Sequence, residues 1–168
     1  MRIRVLPSDV QKRTFELLGA APMRMDLTEA IKKIQAGTID AQENPFANTA
    51  TYGVHKFHYF HTVTSHFYVS RPIFVHRPTF DAWPKDLQEA MRRAAEAAVA
   101  MQRGLAVEED KAARQTILAQ GCEIVDLTKE ERAAFVAAVQ PLVSDGRVTY
   151  GRKMFDLLQV SSAEPSTK

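Results

Sequence analysis

Strand and helix signals alternate over the first 45 residues, and that order constrains the fold more than any other feature of this chain. Ile3 and Val5 alternate with Arg2 and Arg4, the period of a short strand that must end before Pro7. Ser8 is placed to cap a helix running through about Leu18, with Gly19 as its stop. Asp26 and Glu29 have capping-box spacing. Leu27, Ala30, Ile31 and Ile34 then share one helical face, and Gly37 ends that helix. A strand is predicted over 38–42. Pro45 follows and opens a helix to about Val54, because proline has no N–H to lose in a first helical turn. Strand, helix, strand, helix, strand in so short a span implies a parallel sheet with helices packed on it, an α/β fold.

Beyond this segment, residues 57–75 are rich in aromatic and β-branched side chains, interrupted by Ser65 and by Arg71-Pro72. Two extended segments are predicted, over 57–64 and 67–76. Pro84 opens the longest helix, to about Gln120 with Gly121 as its cap. Leu87, Met91, Ala94, Ala98, Met101 and Leu105 form a continuous apolar seam along it, and Gly104 is a candidate bend. This seam reads as core or as an oligomer contact. A strand over 122–125, a capping box at Thr128 and Glu131, a helix to about Val139 before Pro141, and a helical stretch over 149–159 complete the pattern. There is no internal repeat and no clear domain boundary. Residues 1–160 are expected to form one lobe and residues 161–168 a disordered tail.

Composition narrows the function. Apolar residues make up 45% and charged residues 25%, ordinary values for a globular chain of 168 residues. The net charge of +2 is small and the basic residues are dispersed, so no nucleic-acid partner is expected. A single cysteine, Cys122, excludes an intrachain disulfide and a multi-cysteine zinc site; a buried structural thiol is its expected role. No run of about 18 apolar residues is present, so no membrane-spanning helix is expected. Met1 to Pro7 lacks the apolar stretch and small-residue cleavage site of a secretory signal, which as written places the chain in the cytoplasm. G-x-S-x-G, P-loop and G-x-G-x-x-G patterns are all absent, so no enzyme is expected, and no cofactor.

The chemistry concentrates in Gly37-Thr-Ile-Asp-Ala-Gln-Glu-Asn-Pro-Phe-Ala-Asn48. A strand ending in Gln42-Glu43-Asn44 and handing over at Pro45 makes a polar rim, and open α/β sheets hold small ligands outside the carboxyl ends of their strands. Arg4, at the end of the first strand, offers a planar fork that matches two carboxylate oxygens. Its alternative is a structural pairing with Asp40 or Glu43. Asn44 can cap the helix at Pro45 and still contact a ligand. Glu43 would repel an anion, so it is assigned a structural role. Asn48 and Met25 or Leu27 are further candidates for the lining. His55, His58, His61 and His66 stand at spacings that would suit zinc on a helix, but the aromatic and β-branched residues among them favour extended structure, so no metal site is assigned.

Several of these motifs together resemble one family. Asp40-Ala-Gln-Glu-Asn-Pro45 resembles the D-G-Q-E-N-P signature of TRAP (tripartite ATP-independent periplasmic) transporter solute-binding proteins of the dicarboxylate-binding, DctP-like type, with Ala41 in place of the usual glycine. Arg2-Ile-Arg-Val is similar to the family's strand whose arginine clamps the ligand carboxylate; that position is Arg4. Gly19-Ala-Ala-Pro-Met-Arg-Met-Asp26 resembles the connection into the next helix, Thr64-Ser-His66 the T-G-H turn, and Phe80 to Ala95 the segment in which Trp83 replaces a common leucine. The likeness runs from Arg2 to about Leu158. It implies a periplasmic-binding-protein type II-like lobe, incomplete because it corresponds to the family's second half, with a long C-terminal helix. The implied function is the substrate-binding component of a TRAP transporter, truncated, holding a small organic acid through Arg4, Asn44, Gln42, Asn48 and Leu27. The implied partners are the acid and the membrane permease subunits, and the implied location is periplasmic. The competing expectation is a non-binding remnant, or a self-associating interaction protein that lacks the first lobe and forms a homo-oligomer through its exposed surface.

Overall fold

The computed structural model describes residues 1–68 and 71–163. Contacts divide the chain into two compact units, one of residues 1–43 with 126–168, the other Asn44–Val125.

In the first unit, β1 (Arg2–Val5), α1 (Asp9–Leu17), β2 (Ala21–Arg24), α2 (Leu27–Gln35) and β3 (Ala41–Gln42) follow in the expected alternation. The three strands form a parallel sheet in the order β2-β1-β3. Both helices start where their caps predict: the Ser8 hydroxyl accepts from the Gln11 N–H, and the Asp26 carboxylate from the Glu29 N–H at 2.8 Å. The Glu29 carboxylate reaches forward to Lys33 rather than back to complete a box. Gly19 and Gly37 take the left-handed conformation after α1 and α2, which glycine adopts without a Cβ penalty. β1 is the central strand, and Ile3, Arg4 and Val5, which alternate between its two faces, are all buried. The alternation seen in the sequence therefore hides a buried arginine. α2 turns Ala30 and Ile34 inward as its periodicity requires.

The predicted strand over 38–42 shortens to two residues. The Asp40 carboxylate is taken instead by Arg2, with Arg2 Nη2 to Oδ1 at 2.6 Å. The unit continues with α6 (Lys129–Ala138), α7 (Gln140–Tyr150) and α8 (Arg152–Ala163), with α7 packing against α1. Thr128 and Glu131 form a complete capping box at α6. Pro141 does not end a helix but sits in the first turn of α7, where its missing N–H costs nothing, and Gly151 rather than residue 149 marks the start of the last helix. Of the tail predicted at 161–168, residues 161–163 continue α8 and 164–168 lie outside the described residues.

The second unit holds α3 (Phe46–Thr51), a short 3-10 turn at Val54–Lys56, β4 (Phe60–Val63), α4 (Arg77–Asp81) and α5 (Lys85–Ala119), with β5 (Glu123–Asp126) pairing with β4. α3 packs on α5, and the Arg114 guanidinium lies over the Phe46 ring at 5.6 Å. Only part of the segment predicted over 57–64 is strand. In 67–76, residues 69–70 lie outside the described residues and the others form no strand. α5 runs 35 residues unbroken through Gly104, about 50 Å at the α-helical rise. Its buried residues are Gln88, Ala113 and Ile117, while Leu87, Met91, Met101 and Leu105 of the predicted seam are exposed. The seam is therefore not core within the described structure. No helix among the described residues is long and apolar enough to cross a membrane.

Candidate functional site

Strand order decides where a ligand site can form in the first unit. The chain runs from β1 to β2 on one side and then to β3 on the other, so the order of connection reverses between the parallel strands β1 and β3. At such a switch point the loops leaving adjacent strand ends diverge and leave a crevice at their carboxyl ends. Arg4 and Gln42, paired in register, sit at the last or next-to-last positions of these two strands.

Arg4 is only 1% exposed, the largest fully buried side chain among the described residues. Its Nε–H donates to the Met25 carbonyl at 3.1 Å. Burial pushes the guanidinium below its ordinary range, and the carboxylates of Glu43 and then Asp26 oppose that shift. The cation is thus held in place by one backbone carbonyl and two flanking charges. Asp40, an alternative partner suggested by the sequence, is instead bound to Arg2, whose N–H bonds hold its carboxyl down to about 2.

Parallel pairing explains this neighbourhood. Val5 stands opposite Arg24, and the Met25 N–H donates to the Val5 carbonyl at 3.2 Å, so Met25 and Asp26 follow β2 past the tip of β1. Asp26 therefore both caps α2 and faces Arg4. Its capping role was legible in the sequence; its electrostatic one needs the β1–β2 register. Gln42 and Leu27 are half-buried, Leu27 as the first residue of α2.

Asn44 and Asn48 belong to the second unit. Asn48 Nδ2, on α3, donates to Asn44 Oδ1 at 3.4 Å, and that helix starts with Pro45 at its cap position, which has no side-chain cap bond. The cap position falls on Pro45, one residue after Asn44. In the same unit the His55 ring contacts the Thr49 carbonyl at 3.2 Å and His66 contacts Thr64 at 2.6 Å. The Cys122 thiol, half-buried, donates to the His55 carbonyl at 3.4 Å. Among the described residues no group of three or more His, Cys, Asp or Glu is placed to hold a metal ion.

Comparison with known proteins decides the family. The model of the bacterial extracellular solute-binding proteins, family 7 (DctP), matches residues 1–147. The chain belongs to this family. It is 27% identical over 165 residues to the C4-dicarboxylate-binding periplasmic protein DctP of Rhodobacter capsulatus, covering 98% of this chain and 50% of that protein. Among solved structures, a TRAP periplasmic solute-binding protein from Xanthobacter autotrophicus with bound β-D-galacturonate superposes with a TM-score of 0.77 at 26% identity, over 86% of this chain and 47% of that one. Another from Ochrobactrum anthropi, with its own C-terminus bound in the ligand-binding pocket, superposes at 0.83 with 28% identity, over 94% and 49%. The chain thus spans about half the length of the relatives it matches. Family members are periplasmic solute-binding proteins of transport systems, and the mixed α/β architecture with its parallel sheet matches theirs.

Proposed function

We propose that this chain binds a small organic acid through its carboxylate, as the solute-binding part of a TRAP transporter. The observation that carries this is Arg4 buried at the β1–β3 switch point, in register with Gln42. A buried guanidinium is costly unless charges compensate it, and Glu43 and Asp26 supply that compensation. With Nε committed to Met25, a ligand carboxylate meets the two terminal amino groups of the fork, and the Gln42 amide on the neighbouring strand is the nearest candidate for an adjacent oxygen. Leu27, at the start of α2, is the apolar candidate in the same unit. Asn44 and Asn48 are candidates carried by the second unit, tested one at a time. Relatives that bind galacturonate or C4-dicarboxylates support an acid ligand. Delivery to membrane permease subunits and a periplasmic location follow from the same reading.

Titration calorimetry with succinate and D-galacturonate tests it. Binding by the wild type that disappears in Arg4→Gln, with the circular dichroism spectrum retained, supports the assignment. Equal affinity in both removes Arg4 from the site, and silence across the acid panel favours the reading as a non-binding protein.

A further inference from the structure

Two carboxylates flank one buried cation at the tips of β1 and its neighbours, and the proposed ligand would add a third. On the β2 edge Arg4 pairs in register with Met23, and the Met25 N–H donates to the Val5 carbonyl at 3.2 Å, which carries the chain past the end of β1. The Met25 carbonyl that accepts from Arg4 Nε is joined directly to the backbone nitrogen of Asp26. On the β3 edge Gln42 pairs with Arg4, and Glu43 follows it. Other charged side chains of these elements are committed elsewhere: Arg2 to Asp40, Arg24 to Asp9 at 2.7 Å, and Glu29 to Lys33 at 3.0 Å. Among the described residues no ion pair joins the Arg4 guanidinium itself, so Glu43 and Asp26 act on it through their field. Asp26 also has a second task. Its Oδ1 accepts the Glu29 N–H at 2.8 Å and caps α2.

We infer that Asp26 is a positioning residue of the acid site: it acts through Arg4, compensating the fork before a ligand binds and opposing the ligand's carboxylate when it arrives. The inference rests on the reading of Arg4 as the contact for the acid. Both effects have one origin. A guanidinium stays charged in a protein, so removing a neighbouring anion leaves it less compensated rather than discharged. The ligand's carboxylate then supplies more of the missing charge. Asp26 therefore stabilises the unliganded protein and lowers its affinity, and neutralising it moves the two in opposite directions. An acceptor of a ligand hydroxyl would instead lose affinity when neutralised, and a residue that only caps α2 would leave affinity unchanged. Asparagine caps a helix about as well as aspartate, so Asp26→Asn removes the charge and keeps the cap.

Titration calorimetry on the full chain with succinate and D-galacturonate compares the wild type, Asp26→Asn and Glu29→Gln. Glu29→Gln makes the same change in net charge in the same turn of α2, at a side chain paired with Lys33. Asp26→Asn is expected to bind the acid on the order of threefold to tenfold more tightly than the wild type in low salt, a gain that shrinks as salt is added. Glu29→Gln is expected to stay within about twofold of the wild type. Chemical unfolding without ligand adds a second arm. Asp26→Asn is expected to lower the midpoint of the wild type, and to lower it less in an Arg4→Gln background. A pure capping effect would be the same in both backgrounds. Acid binding that depends on Arg4 but is unchanged or weakened by Asp26→Asn overturns this inference alone, as does an equal loss of midpoint in the two backgrounds. No binding by either the wild type or Asp26→Asn overturns the binding reading, and this inference with it.

Discussion

β1 and α5 are the best-patterned elements of the two units, and they dispose of their patterns in opposite ways. β1 spends four residues and buries three of them, including a cation, because neighbours lie on both edges and both faces. α5 spends 35 residues and buries three, leaving its cleanest apolar stripe exposed. Periodicity establishes that an element is two-faced; only topology establishes what covers each face. In the first unit the cover lies within the same chain, and the buried charge is the proposed contact for a ligand. In the second the apolar stripe stays exposed among the described residues.

The contrast is most sharply broken along α5 itself. Ile117 is fully buried, and Ile117→Ala is expected to cost about 2–5 kcal/mol at any protein concentration. Leu105→Ala, on the exposed stripe of the same helix, should change stability by only about 0.5 kcal/mol. Equal losses at both positions in chemical unfolding would mean that both faces are packed within the chain. The next effect is at β1. Arg4→Gln removes charge-assisted hydrogen bonds worth about 1.5–3 kcal/mol each, so the affinity for an organic acid should fall at least about a hundredfold by calorimetry. A smaller effect separates local from tertiary control: Ser8→Ala, which removes the hydroxyl accepting from the Gln11 N–H, should cost about 0.5–1 kcal/mol in chemical unfolding without changing ligand affinity.

The two units should also differ in acid. All five histidines lie between His55 and His76, in the second unit. Burial pushes His58 and His61 below the usual 6.5, His61 adding to the effect on His58 and His55 to that on His61, although a backbone bond from His58 works the other way for His61. A depressed folded-state value means that the unfolded chain binds more protons. Their contribution is therefore complete above 6.5 and is lost as pH falls from there through the lower folded-state values. Hydrogen exchange between pH 7 and 5 should show protection falling first in residues 44–125. Parallel loss in residues 1–43 would assign the acid response to other groups.

Local chemistry explains how much of this was legible in the sequence. Ser8, Asp26, Thr128 and the glycines at 19 and 37 act within a turn of their own positions, so the ends of α1, α2 and α6 could be read directly. The parallel sheet followed from the order of elements. What failed was whatever depended on a partner. Thr38 to Asp40 do not extend β3: its register with β1 covers Ile3 and Arg4, and Asp40 adds a backbone bond and a carboxylate pairing to Arg2. Residues 67–76 have strand-forming side chains, yet those of them described lie in no strand. At the site, Arg4 and Gln42 could be named from motif and resemblance, whereas the compensating role of Asp26 required knowing which strand lies beside β1. The seam of α5 was visible as a pattern, and its exposure was not.

The central claim is that the Arg4 guanidinium receives a carboxylate at the β1–β3 switch point. It is tested most directly by following the Arg4 Nε–Hε resonance, assigned by comparison with Arg4→Gln, as succinate and D-galacturonate are added to the labelled chain. The account predicts a saturable shift of that resonance with at least one acid and none with the corresponding neutral ester. A resonance that stays still while an acid binds elsewhere would contradict it.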